Sequence, residues 1–447
     1  MASAAEQLAA NMNFSSFAKA KELQQRILFT VIILIVYRVG TWVPIPGIDP
    51  VQYARVFEQN SQGILSMFNV LGGGAVERMA IFALNVMPYI SASIIMQLMS
   101  ATIPSLEKLK KEGGEAGRKQ INQYSRYLTV VLATGQALAI AMGMNAVNAD
   151  GLSMALNPGP FFIVSTVITL VGGTMLLLWL GEQITSRGVG NGVSLIIFAG
   201  IVSAIPGMLG SALSLSASGG MGMGTFFGGF LLIIAGLVLV VFIERSQRRL
   251  LVQYPKRQQG NRMVGGDSSF LPLKLNTAGV IPPIFASSLL LLPATAAGFQ
   301  SQSGPEWLQT AVAYLGAGTP LFLSLYAALI IFFCFFYTSV VFNPEETADN
   351  LRKYGGFLPG IRPGQRTTEY LDYVLSRLTL IGALYLTLIC LVPMMLSPGG
   401  GGAALGGTSI LILVSVSMDT ISQIQSHLLA HQYEGLIKKS KLRGRKR

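Results

Sequence analysis

The stretch GILSMFNVLGGGAVERMAIF, residues 63–82, contains an apolar run that ends at three consecutive glycines, Gly72 to Gly74. The run is about ten residues long, roughly half of what a transmembrane helix needs. Glycine is costly inside a helix, and three in a row leave the backbone free to bend. The stretch therefore predicts a chain that enters a membrane region and turns instead of crossing it.

The composition of the whole chain is that of a polytopic membrane protein. Of its 447 residues, 51% are hydrophobic and only 12% are charged, and the mean hydropathy is +0.55. Soluble domains do not have this balance. Apolar runs that each extend to about the spanning length predict ten crossings. The runs centre on residues 31–36, 90–96, 128–140, 164–178, 195–205, 231–241, 285–292, 322–333, 380–391 and 410–416.

The start of the chain predicts no cleavable signal peptide. The polar, basic stretch FAKAKELQQR, residues 17–26, leads into a first apolar run of full length that contains Arg38. A signal peptide has a shorter apolar region, followed by a cleavage site of small residues. We therefore expect the first run to be a transmembrane helix.

The distribution of Lys and Arg predicts the orientation in the membrane. Of the 32 basic residues, 27 lie in the terminal tails and the even-numbered loops, whereas the opposite loops hold only Arg55. We therefore expect both termini in the cytoplasm. Most of these charges need be no more than orientation signals and headgroup anchors. Two loops, residues 244–275 and 343–370, are longer and richer in Pro and Gly than that role requires, and they suit phosphate-rich or acidic partners.

Several function classes lack their characteristic residues. The chain has no Gly-Lys dipeptide and therefore no nucleotide-binding P-loop. Asp419 is the one clear acid within the runs, which suits neither an intramembrane protease nor an ion-coupled transporter. Cys334 and Cys390 lie in apolar runs, and the pair His427 and His431 has no third type of ligand nearby. We expect no metal site and no cofactor.

Uncharged polar side chains interrupt the apolar runs. They are Asn85, Gln97, Gln136 and Asn276. One interpretation is hydrogen bonding between helices, worth about 0.6 to 2 kcal/mol each. The other is a polar seam that opens sideways and lets an amphipathic or apolar guest pass between water and lipid. The residues alone leave both interpretations open.

Six motifs distributed along the chain resemble the SecY family, whose members are the central subunit of the bacterial Sec protein-conducting channel. The motifs are PIPGID (44–49), MPYISASIIMQL (87–98), WLGEQITSRGVGNGVSLIIFAGIV (179–202), IPPIFASS (281–288), FFCFFYTSVVFNPEETADNL (332–351) and PGIRPG (359–364). They occur in the family's order across all ten runs, which makes the resemblance specific. Composition alone indicates only a ten-helix protein with a basic face and no motor of its own.

The resemblance implies an all-α polytopic membrane protein that is not an enzyme. Ten transmembrane helices would form two inverted, pseudo-symmetric halves around an hourglass pore. The expected division is a cytoplasmic tail (1–26), a first half (27–209), an external loop (210–224), a second half (225–430) and a basic cytoplasmic tail (431–447). The midpoint, residue 224, falls in a loop rich in Gly and Met, as equal inverted repeats require.

In this family a short half-helix folds back into the pore as a plug, and the resemblance implies this role for residues 63–74. Its members here are Ile64, Leu65, Met67, Phe68, Gly72, Gly73 and Gly74. Irregular backbone is tolerated at membrane depth where it lines a cavity, and an apolar half-helix can seal against an apolar ring. Gly72 to Gly74 would supply the hinge into the second span. Without the resemblance, an external amphipathic segment is the simpler interpretation.

The family's pore ring maps onto six β-branched residues, which are Val86, Ile90, Val193, Ile197, Ile284 and Ile412. Such side chains have few rotamers and no hydrogen bonds to offer, so they can close around a polypeptide while a narrow dewetted neck resists ions. Val stands at positions 86 and 193 where the family often has Ile, which predicts a slightly wider neck. Ordinary helix packing is the alternative interpretation.

The resemblance also implies a lateral gate and a set of partners. The gate would contain Asn85, Gln97, Gln136 and Asn276. The partners would be the membrane subunits SecE and SecG, the ATPase SecA, the ribosome with its RNA, signal sequences of preproteins and the lipid of the bacterial plasma membrane. Docking would use the two basic loops through Lys256, Arg257, Arg262, Arg352, Lys353 and Arg362. An inverted-repeat secondary transporter or a flippase is the rival function.

Overall fold

The computed structural model describes residues 21–60, 69–145, 154–217, 223–254, 257–259, 262–264, 268–300, 319–396 and 406–444. The helices are α1 (Lys21–Gly40), α2 (Pro50–Asn60), α3 (Met87–Thr102), α4 (Pro104–Glu112), α5 (Gly114–Asn145), α6 (Pro160–Arg187), α7 (Gly192–Ala217), α8 (Met223–Arg245), α9 (Ile281–Gln300), α10 (Pro320–Val341), α11 (Pro344–Lys353), α12 (Gln365–Leu396) and α13 (Gly407–Gly444). The strands are β1 (Gln247–Gln253), β2 (Arg257–Gln259), β3 (Arg262–Val264) and β4 (Ser268–Lys274).

Each of the ten predicted apolar runs lies in one helix of the structure. Among the described residues, eight helices are long and apolar enough to cross a membrane: α1, α5, α6, α7, α8, α10, α12 and α13. The bent pair of α3 and α4 is a ninth candidate, and α9 contributes a shorter apolar helix over Ile281–Leu290. The predicted all-α architecture with ten membrane helices agrees with this arrangement.

The membrane helices pack in two groups. In the first, α5 packs against α3 and α6, and α7 packs against α6 and α1. In the second, α10 packs against α9 and α12, and α13 packs against α8 and α12. The groups meet along two seams, since α9 contacts α3 and α5 on one side while α7 contacts α8 and α13 on the other. The largest hydrophobic cluster draws on both groups and therefore lies where they meet.

Proline positions many of the helix starts. It occupies the first or second position of α3, α4, α6, α10 and α11. Its fixed φ suits the first turn of a helix, and its missing N–H is not needed there. At α11 the side chain of Asn343 also caps the helix by accepting hydrogen bonds from the backbone N–H groups of Glu345 and Glu346 at 3.1 and 3.4 Å.

The stretch that contains the three glycines does not lead directly into the second span. Residues 63–68 lie outside the described residues; residues 69–71 are helical, and turns occupy 72–79 and 81–86 before α3 begins. Between these turns the backbone pairs with the segment after α1, where the N–H of Ile45 donates to the carbonyl of Met79 at 3.0 Å and that of Ile81 donates to Val43 at 2.9 Å. Gly73 and Gly74 bend the chain with φ of +66° and +84°.

The irregular stretch packs tightly against α6, and this contact generates a prediction. A Cβ atom at Gly173 would lie 2.1 Å from the carbonyl oxygen of Ile81, whereas one at the neighbouring Gly172 would meet nothing within 4 Å. Because backbone cannot move aside as a side chain can, we expect Gly173→Ala to destabilise the protein by about 1–3 kcal/mol. Gly172→Ala is the matched control and should be neutral or slightly stabilising.

The measurement is the temperature at which half of the detergent-purified protein aggregates, followed by size-exclusion chromatography. We expect a lower midpoint for Gly173→Ala than for Gly172→Ala. Equal midpoints would show that α6 and the Ile81 backbone are not in close contact.

Candidate functional site

The six residues of the predicted pore ring come from four elements, two in each helix group. Val86 directly precedes α3 and Ile90 lies in its first turn, while Val193 and Ile197 lie one turn apart near the start of α7. The second group contributes Ile284 in the first turn of α9 and Ile412 near the start of α13. Four members are buried in the largest hydrophobic cluster, and the two partly buried ones, Val193 and Ile284, pack against it. The structure thus brings the six into one apolar cluster between the groups.

The described end of the predicted plug reaches the same cluster. Val70 and Leu71 are buried, and Leu71 is a member of that cluster. The carbonyl of Leu71 accepts a hydrogen bond from Nδ2 of Asn85 at 2.8 Å. The hydroxyl of Tyr37 donates to the carbonyl of Gly72 at 3.3 Å, and the guanidinium of Arg38 donates to the carbonyl of Gly73. Side chains of the protein therefore satisfy three successive carbonyls.

The four polar residues of the predicted lateral gate do not lie together. Gln97 on α3 and Gln136 on α5 are partly buried on the two helices that face α9. Asn85 is buried at the plug end. Asn276 is buried in the turn before α9, where its Nδ2 donates to Oε1 of Glu244 at 2.8 Å and to the carbonyl of Gly279 at 3.0 Å. The side-chain amides of Asn85 and Asn276 thus form hydrogen bonds outside the seam of α9 with α3 and α5.

The seam of α3 and α5 with α9 contains a further polar contact. The hydroxyl of Ser288 on α9 is buried and lies 3.8 Å from Sδ of Met87 on α3. Sulfur is a weak acceptor, so this contact holds the two helices only loosely. Met87 and Ile90 of α3 and Phe285 of α9 are buried members of the largest hydrophobic cluster.

Tyr37 and Arg38, which hold the plug end together with Asn85, are not identifiable as such from the sequence alone. There, Arg38 is only a charge inside the first apolar run, and neither Tyr37 nor Glu244, the partner of Asn276, has an assigned role. The available signal was an ionisable residue within an apolar run, which needs a partner at membrane depth. Arg38 also lies 5.8 Å from the ring centroid of Trp42, and Arg78 lies 3.6 Å from the same ring. Such contacts between cations and an aromatic face are attractive.

The two long basic loops form a single structure. Strands β1 and β4 pair antiparallel over seven residues each, and β2 pairs with β3. The backbone of Gln253 in β1 exchanges two hydrogen bonds of 2.9 and 3.0 Å with Phe357 of the second loop. Beneath this junction a separate hydrophobic cluster includes Val252, Leu358 and Leu371. We call this unit, the described residues within 246–274 and 342–378, the platform.

The platform carries the predicted docking residues. Arg352 and Lys353 are exposed in the last turn of α11, and Arg257 and Arg262 lie in β2 and β3. Lys256 lies outside the described residues. Arg362 is exposed between two glycines, Gly360 and Gly364, whose φ values are +82° and +109°. The hydroxyl of Thr367 donates to the carbonyl of Arg362 at 3.0 Å and holds this turn in place.

In the described part of the chain, no group of three His, Cys, Asp or Glu side chains is placed to hold a metal ion. Cys334 and Cys390 are free, buried thiols. The hydroxyl of Thr408 donates weakly to Sγ of Cys390 at 3.7 Å and also lies 3.0 Å from the hydroxyl of Tyr326.

Comparison with known proteins gives consistent matches over almost the whole chain. The model of the SecY family matches residues 80–421. "Protein translocase subunit SecY" of Rickettsia bellii is 52% identical over 434 residues, which is 97% of this chain and 100% of that protein. The Escherichia coli protein of the same description is 51% identical over 426 residues, covering 95% of this chain and 96% of its own length.

Solved structures show the same fold. One is described as "The structure of a protein conducting channel"; it has a TM-score of 0.64 at 18% sequence identity and covers 90% of this chain and 92% of its own. Another is "Sec61 in the Canine ribosome-channel complex from the endoplasmic reticulum", with a TM-score of 0.60 at 17% identity over 90% of this chain and 92% of that one.

Proposed function

The chain belongs to the SecY family, and from this premise we propose how its residues form and gate the channel. As a member of that family it is a multi-pass membrane protein and a protein-conducting channel subunit of the protein translocase, not an enzyme. It passes unfolded preproteins across the membrane and releases transmembrane segments into it. The rival function of secondary transporter or flippase is not favoured. We assign the bacterial plasma membrane as its location, with both termini in the cytoplasm because of the Lys and Arg distribution.

The observation that carries the proposal is the convergence of four elements, two from each helix group, on one apolar cluster. We propose that Val86, Ile90, Val193, Ile197, Ile284 and Ile412 form the constriction of the pore. Apolar β-branched side chains offer an ion nothing to replace its hydration shell, so a narrow ring of them resists ions while it can still part around a polypeptide. Residues 63–74 would close this ring as a plug, since Leu71 at its described end belongs to the same cluster.

We place the lateral gate at the seam where α9 meets α3 and α5. This seam joins the two helix groups on one side, and the second seam, of α7 with α8 and α13, would act as the hinge. Gln97 and Gln136 lie on the gate helices themselves. Asn276 would act from a distance, because its bond to Glu244 ties the start of α9 to the end of α8. Asn85 would act through the plug end that it holds.

The gate proposal predicts a change in signal-sequence selectivity. Replacing Asn276 by Leu removes the donor to Glu244, leaves a carboxylate without its partner and frees the start of α9. We expect export of substrates with weak signal sequences to change several-fold relative to strong ones, and Gln97→Leu to act in the same assay. The matched control is Thr277→Val, because the hydroxyl of the partly buried Thr277 bonds only to the backbone of Lys274 among the described groups.

The measurement is the ratio of exported to retained precursor for one weak-signal and one strong-signal substrate in cells that carry each variant. If Asn276→Leu, Gln97→Leu and Thr277→Val all keep the parental ratio, the gate does not lie where α9 begins and meets α3.

We propose that the channel works with membrane and cytosolic partners. Only 6% of the apolar stretch of α8 is buried within the protein, whereas 44% of the apolar stretches of α12 and α13 is buried. The surface of α8 therefore has room for the single-span helices of SecE or SecG. The platform would receive the ATPase SecA and the ribosome, whose acidic and phosphate groups suit its basic side chains. A ribosome-channel complex among the solved structures of the same fold supports this use of the face.

Arg362 lies on a rigid turn of the platform, where we expect it to bind the ATPase SecA. Pro363, the two glycines and the bond from Thr367 fix the loop, so that little entropy is lost on docking. A guanidinium offers a planar fork that a carboxylate or phosphate can accept in two bonds. We expect Arg362→Glu to leave membrane insertion and SecE association intact while SecA-driven export falls by at least about tenfold, equivalent to about 1.4 kcal/mol.

The measurement is ATP-dependent transport of a preprotein into vesicles that carry the variant. Arg366→Glu is the matched control, since Arg366 is another exposed arginine of the same loop and lies in the first turn of α12. Near-normal transport by Arg362→Glu would identify Arg362 as a solvated charge without a role in docking.

A further inference from the structure

The end of the plug is held by an arrangement of three donors. The carbonyls of Leu71, Gly72 and Gly73 follow one another where the helical residues 69–71 end, and each accepts a hydrogen bond from a different side chain. The last carbonyls of any helix have no partner within the helix. Buried without a partner they would cost free energy, and more so at membrane depth. The side-chain donors remove that cost for Leu71 and Gly73, and they give a second bond to Gly72, whose carbonyl also accepts from the backbone N–H of Ala75 at 3.4 Å.

The donors are themselves fixed in position. Tyr37 is 1% exposed and its ring stacks on Phe82 at a centroid distance of 6.1 Å. Asn85 is 2% exposed and has a φ of +49°, a conformation that Asn tolerates better than most residues. Arg38 also donates to the hydroxyl of Thr41 at 3.3 Å. Its positive charge at a helix carboxyl end is favourable as well.

Helix α7 closes the remaining side of the site. A Cβ atom at Gly200 would lie 2.5 Å from the carbonyl oxygen of Leu71, and one at Gly73 would lie 2.9 Å from Oγ of Ser203. The segment is therefore in close contact with α7 as well as with the end of α1 and the turn before α3. All three belong to the first helix group.

We propose that Tyr37, Arg38 and Asn85 are positioning residues that keep residues 69–74, the anchor, on the first helix group when the channel opens as well as when it is closed. Moving the anchor would break these three hydrogen bonds at once, and it would leave the buried donors of Tyr37 and Asn85 without the carbonyls that they bind. The anchor is then a fixed point, and it holds the end of the plug in register with the pore ring. This inference rests on the proposed function and specifies which residues stay in place.

A disulfide bond tests whether the anchor stays in place. The pair Gly73→Cys and Ser203→Cys is suitable, because a Cβ at Gly73 already lies 2.9 Å from the Ser203 Oγ position. The native Cys334 and Cys390 are replaced by Ala beforehand. We expect the oxidised pair to transport a preprotein at no less than about half the rate of the same protein after reduction. Loss of transport on oxidation that reduction restores would overturn the proposal.

Removal of single donors is a second test. It does not depend on the disulfide, whose formation is disfavoured by the φ of +66° at Gly73. The variants are Tyr37→Phe, Arg38→Gln and Asn85→Gly, each of which deletes one donor and preserves much of the local shape. The readout is closed-state ion conductance per reconstituted channel, and we expect a several-fold rise in each. A purely structural role would lower the yield of channels without changing the conductance of each one.

Arg78→Gln is the matched control, because Arg78 lies on the same Trp42 ring but donates no described bond to the three carbonyls. Its conductance should stay at the parental level. Parental conductance in all three donor variants, or an equal rise in Arg78→Gln, would contradict the anchor. Failure of the proposed function is distinguishable, because the parent protein itself would then show neither a closed state nor preprotein transport.

Discussion

Backbone polar groups at membrane depth must find partners within the protein, because hydrocarbon offers none. Residues 72–86 face this constraint, since they run almost entirely as turns before the membrane helix α3. The structure meets it with the three donors of the anchor and with backbone pairing to the segment after α1. The close approach of α6 at Gly173 and of α7 at Gly200 follows, because bulky side chains there would separate the helices from that backbone.

The same constraint explains what the polar amides of the spans do. Two interpretations were open from the residues, hydrogen bonding between elements and a polar seam. Asn85 and Asn276 have the first role, since each binds a group of another element at 2.8 Å. Glu244, near the end of α8, has Asn276 as its hydrogen-bond donor. The described contacts of the α3–α9 seam are accordingly apolar or weak, which suits two helices that must part.

The ten membrane helices and the family could be predicted from the sequence because an apolar run of spanning length is a local property of the chain. The partners of Tyr37, Arg38 and Asn276 could not, because each bond joins residues 32 or 35 positions apart whose meeting depends on the packing of the helices. The joining of the two basic loops through Gln253 and Phe357 was likewise invisible, because backbone pairing leaves little trace in side-chain pattern. The turn that carries Arg362 could be predicted from the sequence, because the Pro and Gly residues around it define a turn locally.

The central claim is that a translocating polypeptide passes between the β-branched side chains contributed by both helix groups. The most direct measurement places a photoreactive residue at Ile90 or Ile412 in the ring, and at Val131 or Leu388 as controls, which are 66% and 62% exposed on the outer surfaces of α5 and α12. A preprotein arrested in transit is then irradiated and its cross-links are counted. The account predicts strong cross-linking to the preprotein from both ring positions and little from the controls. Cross-linking from the controls that equals or exceeds that from the ring would contradict it.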